Sequence, residues 1–193
     1  MPRRSLREQI VESGVTTLHR RGYATCGVRE ITAAAGVPQG SFTNHFGSKE
    51  AFGVAVLDRY YERTDAIMAA TLRDGTRAPF ERLCAYFDAV AALLGEAGWR
   101  HGCLISNMSL EAAEHSELLR GRLAQMFATL TMSFGEAISA GQAAGEVRRD
   151  VDAAELADVV LAAWHGAMLR MKVERSPAPL ERFSRVFLAT LRP

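Results

Sequence analysis

No stretch of this 193-residue chain approaches the roughly 20 consecutive apolar residues that span a bilayer, so no part of it reads as a membrane span. Its first residues, MPRRSLREQ, carry no apolar stretch after the arginines and do not read as a secretory signal. Cysteine is scarce. Cys26, Cys84 and Cys103 form no CxxC pair and no even framework, which points to reduced thiols in a cytoplasmic protein. Sustained apolar–polar alternation is missing. The one Asp-Gly pair, Asp74-Gly75, falls between helical patterns, so strands and hairpins are not expected. Tandem repeats and low-complexity tracts are missing too. So are a nucleotide-binding glycine loop, HExxH, GxSxG and a paired-carboxylate motif. These absences lead to the expectation of a protein that is not an enzyme and holds no cofactor. A cysteine hydrolase would need a base near Cys103; His101 is too local, and nothing in the sequence supports His165 in that role. His101, Cys103 and His115 make a poor metal set, because two of them are only two residues apart and no fourth ligand is evident.

What is present is ordinary for a globular chain: 48% hydrophobic and 23% charged residues, with a net charge of +1 at pH 7. The charge is unevenly spread. Residues 1–50 carry Arg3, Arg4, Arg7, Arg20, Arg21, Arg29 and Lys49 against Glu8, Glu12, Glu30 and Glu50, which leaves the rest of the chain slightly acidic. A basic head on such a body suits an anionic partner for the head.

The apolar spacing is helical throughout. Leu6, Ile10, Gly14 and Leu18 repeat every four residues, in a first helix that ends near Gly22. Val28 and Ile31 open a short second helix stopped by Gly36. Pro38 suits the first position of a third, with Phe42 and Phe46 one turn apart on its inner side. Ser48 can cap a fourth helix from Lys49 to about Leu72. Further helices are expected near 79–97, 103–113, 116–142, 153–175 and 178–191. Leu161, Trp164, Met168 and Met171 form one apolar stripe and Leu180, Phe183 and Phe187 another; such stripes are core or subunit interface. The expected fold is all-α, with about nine helices. A head over 1–48 and a linking helix over 49–72 precede a helical body over 73–193.

Three short helices within 46 residues, joined at the tight turn AAAGVPQG, have the form of a helix-turn-helix. A short third helix with small polar residues on one face can enter a major groove about 12 Å wide. Its outward residues would be Gln39, Gly40, Ser41, Thr43 and Asn44, and its inward ones Val37, Phe42 and Phe46. Lys49, at the start of the next helix, can meet a phosphate together with the helix's amides. His45 is either a phosphate donor or a packed surface ring. Arg29 on the second helix completes the set of candidate DNA contacts.

The segment GVREITAAAGVPQGSFTNHFGSKEAF resembles the DNA-binding signature of the TetR family of transcriptional regulators, over most of residues 6–60. The resemblance implies a homodimer on double-stranded operator DNA, joined through its last two helices. It also implies a repressor whose C-terminal domain holds an inducer that releases the DNA. Where the family commonly has a tyrosine and another aromatic or histidine, this chain has Thr43-Asn44. Thr43 reaches less far toward phosphate, and Asn44 can read adenine or contact the backbone. Cys26-Gly27 stands where relatives often place a threonine or serine cap, and Cys26 reads as a small buried residue.

RHGCLISNMSLEAAE and WHGAMLRMKVERSPAPLERF resemble, more narrowly, the subgroup of N-ethylmaleimide-responsive and acrylate-responsive repressors. Matched residue by residue, that subgroup's cysteine falls on Cys103 and its neighbouring lysine on Lys172. A thiol attacks electrophiles only as the thiolate, which a nearby ammonium or a helix N-terminus favours. Cys103 is expected in the first turn of the 103–113 helix. It is then either a sensor for a thiol-reactive electrophile, or a small apolar filler of the core. Lys172 is a partner for that thiol, a charge for a reversible carboxylate ligand, or a solvated lysine. Trp99, Trp164, His165 and Met168, with Phe87 and Met108, are candidate pocket lining, and core packing explains each equally well. Asn107 and Glu111 either satisfy buried polar groups or orient a ligand; Cys84 reads as core. Two other readings stand beside the electrophile-released repressor: a helical dimeric interaction protein with a degenerate head, and a carboxylate sensor without thiol chemistry.

Overall fold

The computed structural model describes residues 5–193; Arg3 and Arg4 of the basic head lie outside the described residues. Among the described residues the chain forms nine α-helices and no strand. α1 (Leu6–Arg21) opens with a capping box in which Ser5 Oγ accepts from the Glu8 N–H and Glu8 accepts from the Ser5 N–H, both at 3.2 Å. α2 (Val28–Ala35) ends at Gly36. α3 (Gln39–His45) starts one residue later than the sequence indicates, with Pro38 as its cap and not its first helical residue. α4 (Lys49–Ala70) follows Ser48, whose Oγ accepts from the Ala51 N–H at 3.0 Å. The remainder is α5 (Pro79–Glu96), α6 (Leu104–Ala112), α7 (Glu117–Ala144), α8 (Ala153–Glu174) and α9 (Ala178–Arg182). No helix among the described residues is long and apolar enough to cross a membrane.

Two boundaries differ from the sequence expectation in ways that bear on function. α6 begins at Leu104, so Cys103 precedes its first turn and does not lie within it. The expected helix over 178–191 is α-helical only to Arg182; it continues as a π-helical turn over Phe183–Phe187 and a 3-10 turn over Leu188–Leu191. The cause is the spacing of the buried residues Leu180, Phe183, Leu188 and Leu191. Three-residue steps suit a helical face, but the five-residue step from Phe183 to Leu188 does not. A wider turn, with the Leu188 N–H donating to the Phe183 carbonyl, returns Leu188 to the buried side.

The described chain divides into two compact units. One runs to Arg63 and resumes over Leu104–Met126. In it α1 packs on α2, α3 and α6. Ile10, Leu18, Ile31 and Phe52 are fully buried, and the rings of Phe42, Phe46 and Phe52 meet pairwise with centroids 5.2–5.3 Å apart. Gly14 completes the α1 stripe because there is no room for more: a Cβ there would fall 2.6 Å from the Phe52 ring and 2.7 Å from Val56. Polar ties surround this core. Arg122 on α7 donates to Asp58 at 2.7 Å, and Arg59 and Arg63 both pair with Glu12 on α1.

The other unit comprises Thr64–Cys103 and Phe127–Pro193. Its core is aromatic. Phe87 lies 4.8 Å from Trp164 and 4.8 Å from Phe183, and Trp164 lies 5.0 Å from Phe183. Tyr86 meets Phe134 edge-on at 4.9 Å. Leu161, Met168 and Met171 are buried on the same α8 stripe as Trp164. The turn between α7 and α8 is held by Gln142, whose amide donates to the carbonyls of Arg148 and Val151 at 2.9 and 2.8 Å. Glu146 accepts from the Phe80 N–H at 2.8 Å and so fastens that turn to the start of α5.

Candidate nucleic-acid interface and candidate sensor residues

The outward face of α3 is built by what lies behind it. Phe42 and Phe46 are drawn into the aromatic triple with Phe52, which fixes the rotation of a helix only seven residues long. α2 is held from behind by Gln9, which donates to the Ala35 carbonyl at 2.8 Å. The turn closes through the Val37 N–H to the Thr32 carbonyl at 3.1 Å. With that rotation set, Gln39, Gly40, Thr43, Asn44 and His45 are exposed, and Ser41 is half-buried against the head. Val37, expected inward, is also half-buried. A Cβ built on Gly40 would meet no atom of the chain within 4 Å. Nothing inside the protein therefore requires a glycine at Gly40, although glycine weakens a helix by about 0.5–1 kcal/mol relative to alanine.

The cations of the head divide into engaged and open ones. Lys49 is half-buried; its ammonium lies 4.5 Å from the centre of the Tyr23 ring and donates to the Ala24 carbonyl at 3.3 Å, so it braces the loop between α1 and α2. Arg21 pairs with Glu30 at 2.5 Å. Arg29 is exposed on α2. His45 is exposed, with Phe46 6.4 Å away and edge-on. Arg7, which the sequence places only in the general basic excess, lies 5.5 Å from the centre of the Phe46 ring and is exposed at the start of α1. Only the docking of α3 on α1 reveals that neighbour.

The sensor candidates are placed less uniformly. Trp164 and Met168 are sealed, at 1% and 4% exposure, inside the aromatic core. Met108 is buried on α6 and Phe87 at the centre of the aromatic cluster. Trp99 is half-buried and sits in the left-handed region at φ 59°, a conformation that costs a bulky residue of order 1–3 kcal/mol. Its N–H donates to the Leu94 carbonyl at 2.9 Å, and its ring folds back over Gly95. Asn107 and Lys172 are half-buried, the latter in the last turn of α8. His165 packs edge-on against Phe127 at 5.6 Å, and burial lowers its pKa to about 4. Its ring is therefore neutral at physiological pH and is no cationic partner for a carboxylate.

The three thiols are also distinguished. Burial pushes the Cys26 thiol up, and Glu30 adds to the effect; burial and Asp88 do the same to Cys84. Neither is suited to forming a thiolate. Cys103 is half-buried and immediately precedes α6. Glu111, at the far end of α6, accepts from the Ala24 N–H at 2.8 Å, so its observed partner is the head's own loop. Among the described residues no group of three or more His, Cys, Asp or Glu is placed to hold a metal ion.

Comparison with known proteins adds to this geometry. Residues 10–56 match the family described as bacterial regulatory proteins, tetR family, and residues 79–187 match the tetracyclin repressor-like C-terminal domain. The chain is 41% identical over 193 residues to the HTH-type transcriptional repressor DhaR of Mycobacterium sp. (strain GP1), covering 100% of this chain and 96% of that protein. It is 31% identical over 175 residues to the HTH-type transcriptional repressor NemR of Escherichia coli (strain K12), covering 91% and 88%. The crystal structure of the reduced form of E. coli NemR matches with a TM-score of 0.84 at 28% identity over 97% of both chains. The crystal structure of a regulatory protein TetR from Rhodobacter sphaeroides matches with a TM-score of 0.91 at 32% identity, over 96% of this chain and 99% of that one.

Proposed function

Because the chain belongs to the TetR family and is a TetR-type transcriptional repressor, we propose that α3 reads operator DNA and that a thiol-reactive electrophile acting at Cys103 releases it. The observation that carries the DNA reading is the polar face of α3, exposed over a closed aromatic core. Gln39, Thr43 and Asn44 supply hydrogen-bonding groups for base edges and phosphates. Gly40 supplies clearance for a close backbone, and Arg29 supplies charge.

The dimer is proposed through α8 and the segment after it. Ala163, Gly166 and Ala167 on α8 face Val186 and Phe187 across a groove of about 500 Å³, and Val159, Val173 and Val186 are more than half exposed nearby. Small residues flanked by exposed apolar ones suit close packing against a second copy of the same surface.

Three features support Cys103 as the sensor: its half-buried place before α6, the raised pKa values of the other two thiols, and likeness to a repressor solved in a reduced form. In the reaction with N-ethylmaleimide, the Cys103 proton goes to solvent and Sγ bonds to one alkene carbon. The alkene's π pair moves to the other carbon, which takes a proton from water.

The test is a gel shift on the DNA upstream of the chain's own gene at about 50 mM salt, where phosphate contacts are strongest. Binding that N-ethylmaleimide abolishes in the Cys84→Ser background, and that persists in Cys103→Ser, is the expected result. A Cys103→Ser protein that still responds to its natural inducer removes the covalent reading and favours a reversible carboxylate ligand at Lys172. Absence of DNA binding in the untreated protein removes the proposed reading of this DNA by α3.

A further inference from the structure

We infer that Glu111 is a positioning residue that makes the DNA-reading head follow α6. The inference rests on the sensing reading above, but the contact behind it lies wholly within the first compact unit. Glu111 Oε2 accepts from the Ala24 N–H at 2.8 Å, across 87 residues of sequence. The loop between α1 and α2 is shaped to hold that carboxylate. Gly22 adopts φ +88°, and a Cβ there would fall 2.8 and 2.9 Å from the two carboxylate oxygens. Any other residue would be strained in its backbone and would push Glu111 away.

The same loop is gripped from its other side. Lys49 of α4 donates to the Ala24 carbonyl, and its ammonium lies over Tyr23. The Tyr23 ring in turn abuts Gly53 of α4, where a Cβ would fall 3.0 Å from it, and the Leu119 side chain of α7 lies against that same glycine. Residues 22–24 are thus one loop of the reading head that α4 and α6 both hold, α4 gripping the head also through Phe52, Arg59 and Arg63. Only three residues, 25–27, separate this loop from α2, and α2 packs directly on α3.

α6 is nine residues long, about 13 Å at 1.5 Å per residue, and rigid on that scale. Its first residue follows Cys103 and its last but one is Glu111. A shift or rotation of α6 at the Cys103 end therefore moves the Glu111 carboxylate, and through Ala24 it moves the start of α2. Without the carboxylate, the head would keep its ties to α4, namely Phe52 against Phe42 and Phe46, Arg59 and Arg63 on Glu12, and Lys49 on Ala24, and would follow α4 instead.

The experiment uses the full chain as Glu111→Ala and Glu111→Gln, since a glutamine carbonyl can still accept from Ala24. Amide exchange at residues 22–28 is measured first, then affinity for the upstream DNA with and without N-ethylmaleimide. Faster exchange in Glu111→Ala and near-wild-type exchange in Glu111→Gln are expected. Both variants should bind untreated DNA. In Glu111→Ala, the ratio of untreated to treated affinity, about 5–150-fold in coupled systems, should fall below about threefold, and Glu111→Gln should restore most of it. A Glu111→Ala protein with the wild-type ratio overturns the inference, as does unchanged exchange in all three proteins. If the wild-type protein itself fails to respond to N-ethylmaleimide, the sensing reading falls and the exchange data alone decide whether Glu111 holds the loop.

Discussion

The head and the body solve opposite problems with similar materials. Both bury a cluster of aromatic rings: Phe42, Phe46 and Phe52 in the head, and Phe87, Phe134, Trp164 and Phe183 in the body. What they leave outside differs. The head exposes a seven-residue helix whose outward positions are small and polar, including a glycine that nothing internal requires. The body exposes valines and a leucine along α8 and the turn after it. A polar face over a closed core suits a hydrated, charged partner such as DNA. An apolar face suits another protein surface. The two faces can be told apart because each is exposed; the interior of the body offers no such contrast.

The largest effect is expected where the body is most closed. Trp164→Ala removes a ring that touches Phe87 and Phe183 and is 1% exposed. If the site is core, this costs about 3–5 kcal/mol, read by urea unfolding at fixed protein concentration. A loss below about 1 kcal/mol would mean that the ring lines space already available to a ligand, and the contrast between closed core and sensing pocket would have to be redrawn around it.

His165 gives the next effect, a sensitivity to mild acid that belongs to the body. Its folded pKa, about 4, lies below the unfolded value near 6.5. The stability tied to its neutral form is complete above pH 6.5 and is lost as pH falls toward 4, because the unfolded chain takes up the proton first. Over that window the loss approaches about 3 kcal/mol. His165→Gln should flatten the profile between pH 6.5 and 4.5. Asp74 and Asp150 fall outside this window: hydrogen bonds from Thr76 and from Arg148, respectively, lower their pKa values to about 2, so their contribution fades only in stronger acid. A profile that stays steep in His165→Gln would assign the acid sensitivity to other groups.

The same contrast explains what could be read without coordinates. The head was legible because its elements are short and punctuated: Gly22, Gly36, Pro38 and Ser48 mark helix boundaries to within a residue. Its outward positions follow once Phe42 and Phe46 are taken as inward, with only Ser41 turning partly inward. The engagement of Lys49 by Tyr23 and Ala24 was not legible, since it depends on how α4 meets a loop 25 residues earlier. Glu111 shows the limit most clearly. Its spacing places it one turn after Asn107, but its partner lies 87 residues away in the head. In the body, apolar spacing marked Trp164 and Met168 as facing inward, and inward is where core and pocket residues look alike. The break after Arg182 was missed because Phe187, four residues from Phe183, continues an α-helical stripe, while the residue that is buried is Leu188.

The smallest stability effect is the most telling about the head, because its sign is opposite to its effect on binding. Gly40→Ala adds a methyl group where no atom of the chain lies within 4 Å, in a helix that alanine favours. It should raise stability by up to about 1 kcal/mol in urea unfolding. The same methyl stands on the face proposed to approach DNA, beside the exposed Gln39, Thr43 and Asn44. Affinity for the upstream DNA, measured by salt-titrated gel shift, should therefore fall while stability rises, and the salt slope should change little because no cation is removed. A control at Gly47, equally free of internal neighbours but beyond the end of α3, should leave affinity closer to wild type. If Gly40→Ala is stabilised and binds as tightly as before, α3 approaches DNA by another side, and the contrast between the polar face of the head and the apolar face of the body loses its functional meaning.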